Sequence, residues 1–222
     1  MTHDVTRPDW EVNSETVAQA FLAAVRKSPE AIYCKSSAGA LSYREAAGAI
    51  QTLANELSSL VKGKAVALIL PNSKAFLIAY FAILFAGGKP ALINHAHPDA
   101  TINKLLADLD AALAISDRSF ERAASRLLND TLLEELCRPV DLDTLRDPGA
   151  PSDIAAILYS GGTTGLPKQV PHTNAAIIAT MERGDWGWRT NDAEIWLPVA
   201  PFTHIYGFLM GLTNPLINAG AA

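Results

Sequence analysis

Residues 65–93 read AVALILPNSKAFLIAYFAILFAGGKPALI. The run 65–70 (AVALIL) is continuously apolar and short, the pattern of a strand buried on both faces, and Pro71-Asn72 ends it. Residues 75–85 are apolar all round over about three turns, which predicts a core helix, and Gly87-Gly88 stops it. Residues 91–93 restart as a second short strand. Strand, helix and strand at this spacing make a βαβ unit, so the chain is expected to be α/β, with mostly parallel sheets covered by helices. The apolar segment 75–88 is only 14 residues long and is bracketed by Lys74 and Lys89. A membrane span needs about 20 such residues, so none is expected.

The same alternation continues outward. Val17, Ala20, Phe21, Ala24 and Val25 share one helix face within 16–26. Ser42 and Glu45 form a capping box that opens a helix over 43–60. A helix is predicted from Asp99 to about Asp110, and a third strand at 113–116. Residues 138–153 (RPVDLDTLRDPGAPSD) follow neither period and read as a linker. They divide the chain into a first α/β lobe, 1–145, and a second, 146–222. In the second lobe a buried strand is expected at 154–159, a Gly/Thr loop at 160–168 and a helix at 174–183. A strand at 195–199, a loop at 201–207 and an apolar helix at 208–217 complete it.

Composition narrows the function. With 222 residues, 49% of them hydrophobic, the chain is globular in character and able to bury about 70% of its unfolded surface. Eighteen basic and twenty-three acidic residues leave a net charge of −5, with no block of like charge to mark a nucleic-acid partner. Cys34 and Cys137 have no CxxC spacing, which excludes a disulfide framework and a cysteine zinc site. A polar start at residues 1–10 lacks a secretory h-region, and with the two cysteines it points to a cytoplasmic protein.

Chemistry concentrates in residues 154–172, IAAILYSGGTTGLPKQVPH. A buried strand runs into Ser160, Gly161, Gly162, Thr163, Thr164 and Gly165, and Lys168 follows. Three glycines let backbone N–H groups converge on an anion. Three hydroxyls add donors, and Lys168 adds a mobile positive charge. These parts suit a nucleoside triphosphate. The spacing is neither GxxxxGK[ST] nor GxGxxG, so the Walker and dinucleotide folds are excluded.

Residues 159–170, YSGGTTGLPKQV, resemble the phosphate-binding signature of the acyl-adenylate-forming (AMP-binding) superfamily, whose general form is YSSGTTGLPKGV. Residues 197–208, LPVAPFTHIYGF, are similar to that family's following motif, PLFHxxGL. Residues 66–98, with LPNS, the apolar helix, FAGG and N-x-x-x-P, are similar to its early core. The blocks keep the family's order, and together the similarity covers about 14–222.

The resemblance implies an ATP-dependent acid–thiol ligase, in which a carboxylic acid attacks the α-phosphate of ATP and the acyl group then passes to a thiol. It implies that Ser160, Gly161, Gly162, Thr163, Thr164 and Gly165 wrap the β- and γ-phosphates, with Lys168 beside them. It places His204 next to the acyl pocket and the reacting carboxylate, which favours the acyl- or aryl-CoA synthetase type, with CoA as co-substrate. An aryl-acid enzyme loading a carrier protein is the alternative, as is a non-catalytic ATP-binding or partner-binding module. The family's ribose aspartate, its Mg2+-binding glutamate and its C-terminal lysine belong to blocks absent from these 222 residues. The chain is therefore expected to be an N-terminal portion, its second lobe incomplete, inactive alone and prone to self-association through an unfinished core.

Three positions depart from the family pattern. Gly161 stands where many members have Ser, and Thr203 stands where an aromatic often precedes the histidine. Gln169 replaces a usual Gly, which would cost about 1 kcal/mol or more if that position required φ > 0. Other features read as structural. His95-x-His97-x-Asp99 would need His at 100, which is Ala, so it is expected to be a polar turn, with no metal site. His172 is expected in a loop or helix start, Trp196 in the core, and residues 186–188 as a loop cover.

Overall fold

The computed structural model describes residues 14–142, 144–161, 165–183 and 195–218. Its centre is a six-stranded sheet in the order β6-β5-β3-β4-β7-β8. The strands are β3 (Ala65–Ile69), β4 (Lys89–Leu92), β5 (Leu113–Ser116), β6 (Ser125–Leu127), β7 (Ile154–Ser160) and β8 (Lys168–Thr173). Strands β3 to β7 run parallel, and β8 returns antiparallel along β7. The α/β class is therefore as expected, with helices on both faces.

Alternation along β3 divides the core. Val66 and Leu68 face a large cluster with helices α1 (Val17–Lys27), α2 (Tyr43–Val61) and α3 (Lys74–Phe85). Ala67 and Ile69 face a smaller one with Ile102, Leu105, Leu106 and Leu109 of α4 (Asp99–Leu109). Helix α3 lies against the sheet within the large cluster, and every residue from Lys74 to Leu84 is buried. That accounts for its apolarity on all sides. The buried Lys74 ammonium donates to the Ala38 carbonyl at 3.1 Å. The capping box at Ser42 and Glu45 is present. Among the described residues no helix is long and apolar enough to cross a membrane.

The segment 138–153 is irregular, as expected, but it packs as part of the molecule. Leu145 is buried in the large cluster, and a Cβ on Gly48 would stand 2.0 Å from the Arg138 carbonyl oxygen. The Thr16 hydroxyl caps α1 and donates to Asp147, while Asn174 accepts from Val17 N–H at 3.1 Å and donates to Ala150 O at 3.0 Å. Strand β7, which follows this segment, pairs with β4, so one sheet crosses the expected lobe boundary at 145/146.

Several local expectations need correction. Residues 195–199 form no strand beyond a single bridge residue at Ile195, and Trp196 is half-buried rather than core. The end of the chain is helical but not regular α: a single turn at Ile205–Gly207, π geometry over Phe208–Thr213, then a tighter 3-10 turn over Asn214–Asn218. Strand β8 covers 168–173, taking in Lys168 from the end of the expected loop and 169–173, which had no assignment. Pro171 argues against a strand, but β8 is an edge strand and needs only one set of partners. The hairpin β1 (Ile32–Ser36) and β2 (Gly39–Ser42) was not expected, nor was β6.

Candidate functional site

Strand β7 delivers the candidate site. Because β3 to β7 are parallel, their carboxyl ends share one edge of the sheet, where ligands of open α/β sheets bind. Ser160 is the last residue of β7 and Lys168 the first of β8, and the two are directly paired across the hairpin. Opposite residues of an antiparallel pair share a face, so Ser160 and Lys168 leave the sheet on the same side. Both are exposed. Gly161 and Gly165 are described, and a Cβ built on either would meet no atom of the described residues within 4 Å. Both glycines are exposed. Gly162, Thr163 and Thr164 lie outside the described residues.

Gln169 is part of an ordinary extended strand. Asp110 is the one non-glycine residue with positive φ, 50°, among those described, so Gln169 carries no left-handed strain. Its side-chain amide instead donates to the Asp108 carboxylate at 2.9 Å and to the Asp108 carbonyl at 3.3 Å. On the same face Tyr159 packs against the α4 cluster, and burial together with the nearby Asp108 charge raises its phenol pKa.

The second candidate element, 198–208, is held at the end of β3. Asn72 follows that strand and donates through its amide nitrogen to the carbonyls of Pro198 and Ala200, at 3.1 and 2.9 Å. Its carbonyl oxygen accepts the Phe202 N–H. Asn72 is a residue that sequence reading noted only within LPNS. Phe202 is buried and meets Phe76 with ring centroids 5.2 Å apart, which packs the segment before His204 onto helix α3.

His204 caps the short turn that follows. Its Nδ1 accepts the Tyr206 N–H at 3.3 Å, and its ring is exposed. An accepting Nδ1 fixes the neutral imidazole as the tautomer with its proton on Nε2, a donor. Two glycines let the chain fold back here. A Cβ on Gly207 would stand 2.1 Å from the Pro201 carbonyl oxygen, and one on Gly211 would stand 2.7 Å from Pro198 Cβ. The hairpin carrying Ser160 and Lys168 and the turn carrying His204 are thus both anchored on the carboxyl edge, at β7 and β3, with β4 between them.

Other sequence candidates fall elsewhere. His95 and His97 lie in the turn after β4, and Asp99 accepts from Arg118 at 2.9 Å. No group of three or more metal-ligating side chains occurs among the described residues. His172 is half-buried in β8, and desolvation lowers its pKa below the ordinary value. Residues 186–188 lie outside the described residues. A cavity of about 240 Å³ lined by Lys62, Lys89, Gly149, Asp153 and Asn174 opens at the amino ends of β4 and β7, the opposite edge from Ser160.

A family model described as AMP-binding enzyme matches residues 21–222. Oxalate–CoA ligase of Arabidopsis thaliana is 29% identical over 72% of this chain, which spans 34% of that protein. Gramicidin S synthase 2 of Aneurinibacillus migulanus is 30% identical over 94% of this chain, which spans 5% of it. The solved N-terminal subdomain of Klebsiella oxytoca NpsA, in complex with 3-hydroxyanthranilyl-AMSN, superposes with a TM-score of 0.78 at 22% identity. That superposition covers 93% of this chain and 52% of the solved one. The chain thus spans about a third or less of the length of these two curated relatives.

Proposed function

Since this chain belongs to the AMP-binding enzyme family, we propose that it forms the phosphate-gripping part of an ATP-dependent acid–thiol ligase of the acyl- or aryl-CoA synthetase type. The observation that carries this reading is the pairing of Ser160 with Lys168 across the β7–β8 hairpin, at the carboxyl edge of the sheet. A hydroxyl and an ammonium leave one face together, and the exposed Gly161 and Gly165 lie between them in sequence.

In the proposed reaction a carboxylate oxygen of the acid bonds to the α-phosphorus of ATP. The bond from that phosphorus to the bridging oxygen breaks, and pyrophosphate leaves with the electron pair. A thiol, CoA in this reading, then bonds to the acyl carbon as AMP departs. Both first reactants are anions, so the protein's contribution is to orient them and to neutralise charge on the leaving group. Lys168 would supply positive charge at the β- and γ-phosphates, and Ser160 a hydroxyl donor. The loop from Gly161 to Gly165, with Gly162, Thr163 and Thr164, would supply amide and hydroxyl donors. His204, with its proton on Nε2, would donate to the acid's carboxylate or to an α-phosphate oxygen. Mg2+ is proposed to arrive bound to the triphosphate.

The resemblance assigns the ribose, metal and C-terminal lysine groups to blocks that these residues do not contain, so ATP binding without turnover is proposed for this chain alone. Calorimetry with ATP tests it directly. Measurable binding that falls at least about tenfold in Lys168→Ala is expected, the worth of one charge-assisted contact. No binding by the unaltered chain would overturn the assignment. Pyrophosphate exchange driven by a panel of acids, on a chain extended through the missing blocks, would then identify the acid. Thioester formation with CoA or with a carrier protein separates the two acceptors.

A further inference from the structure

We infer that Gln169 is a positioning residue that sets Lys168 by tying the first turn of β8 to the end of helix α4. The inference rests on the phosphate-gripping role proposed for Lys168. The amide nitrogen of Gln169 reaches Asp108 twice, at 2.9 Å to the carboxylate and 3.3 Å to the backbone carbonyl. A single donor shared by side chain and main chain of one residue fixes both the distance and the direction of approach. Asp108 lies in the last turn of α4, whose Leu105, Leu106 and Leu109 are buried under the sheet and whose C-cap, Asp110, adopts the left-handed conformation. Asp108 itself is exposed, but it stands on a helix whose other face is packed in the core.

The edge strand is paired along one side. Among the described residues strand β8 pairs with β7 alone, and Pro171 in its middle has no N–H to donate. Successive residues of a strand point to opposite faces. Gln169, opposite Tyr159, points to the α4 side, and Lys168, opposite Ser160, points to the other. Fixing Gln169 on α4 thus fixes the rotation of the strand about its own axis, and with it the direction in which Lys168 leaves. A glycine at 169, usual in the resembling family, could not make this tie.

Calorimetry on the 222-residue chain with ATP and Mg2+ as the probe tests the role. Gln169→Ala and Asp108→Ala should each weaken binding about three- to tenfold, the worth of one hydrogen bond to a charged group. The double variant should bind no worse than either single one, since both remove the same tie. Gln169→Lys restores a donor to Asp108 and should bind within about twofold of the original, a rescue that simple loss of fold would not show. Unchanged binding in both alanine variants would overturn the inference. If the unaltered chain binds no ATP, the phosphate-gripping reading falls, and hydrogen exchange of the amides at 168–170 decides the tie by itself. Faster exchange in Gln169→Ala, reversed in Gln169→Lys, supports it, and equal rates in all three overturn it.

Discussion

The side-chain oxygen of Asn72 accepts the backbone N–H of Phe202 at 2.8 Å, joining two residues 130 positions apart. With the bonds from the same amide to Pro198 and Ala200, it staples the segment before His204 to the end of β3. Asn72→Ala should lower stability by about 1–3 kcal/mol in denaturant unfolding, because three backbone groups lose their partner together. Asn72→Asp retains the acceptor for Phe202 but turns a carboxylate toward two carbonyl oxygens, and should be no more stable than the alanine variant. An aspartate variant as stable as the original would show that the staple contributes nothing.

Two glycines of the candidate site should respond in opposite ways. At Gly207 a methyl group would overlap the Pro201 carbonyl oxygen, a backbone atom that cannot step aside cheaply. Gly207→Ala should therefore destabilise by about 2–4 kcal/mol and displace the turn that carries His204. At Gly161 a Cβ meets no atom of the described residues within 4 Å. Gly161→Ser should leave the melting temperature within about 1 °C and add a hydroxyl beside the proposed phosphates. A destabilised Gly161→Ser variant would mean that the loop packs more tightly than the exposure of Gly161 indicates.

The sequence made the sheet legible where one period dominated. AVALIL, the all-apolar helix behind it and the capping box at Ser42 follow from local rules, and each stands where those rules put it. The strand expected at 195–199 is reduced to the bridge at Ile195: a strand is stabilised by the neighbour it pairs with, which the periodicity of one segment does not supply. Strand β8 was hidden for the converse reason, since Pro171 weakens the local signal while β7 supplies the pairing. The chemistry of Ser160 and Lys168 was readable from their types and order. The ties that hold them, Asn72 to Phe202 and Gln169 to Asp108, were not, because contacts 61 to 130 positions apart leave no local pattern.

Residues 195–199 also expose a row of apolar side chains. Ile195 is 64% exposed, and Leu197 and Val199 are each 83% exposed. The three lie within five residues of one another and place exposed apolar surface close together on the described part of the chain. Light scattering should find mass rising with concentration in the micromolar range, and Leu197→Lys with Val199→Lys should suppress it. A constant monomer mass in the unaltered chain would sink the self-association proposed here.

His172 gives the chain a pH dependence of defined sign. Its side chain is half-buried in β8, and desolvation lowers its folded-state pKa below the unfolded value near 6.5. Between those two values the unfolded chain binds more protons than the folded one, so stability rises with pH. Above about pH 6.5 the imidazole is neutral in both states and the contribution is flat. As pH falls below that value the unfolded state gains protons first, and stability is lost until the folded pKa is also passed. Urea unfolding of His172→Gln should show a shallower loss of stability from pH 7 to pH 5 than the original chain. Identical slopes would mean that the imidazole titrates alike in both states and that the burial of this residue in β8 has no electrostatic consequence.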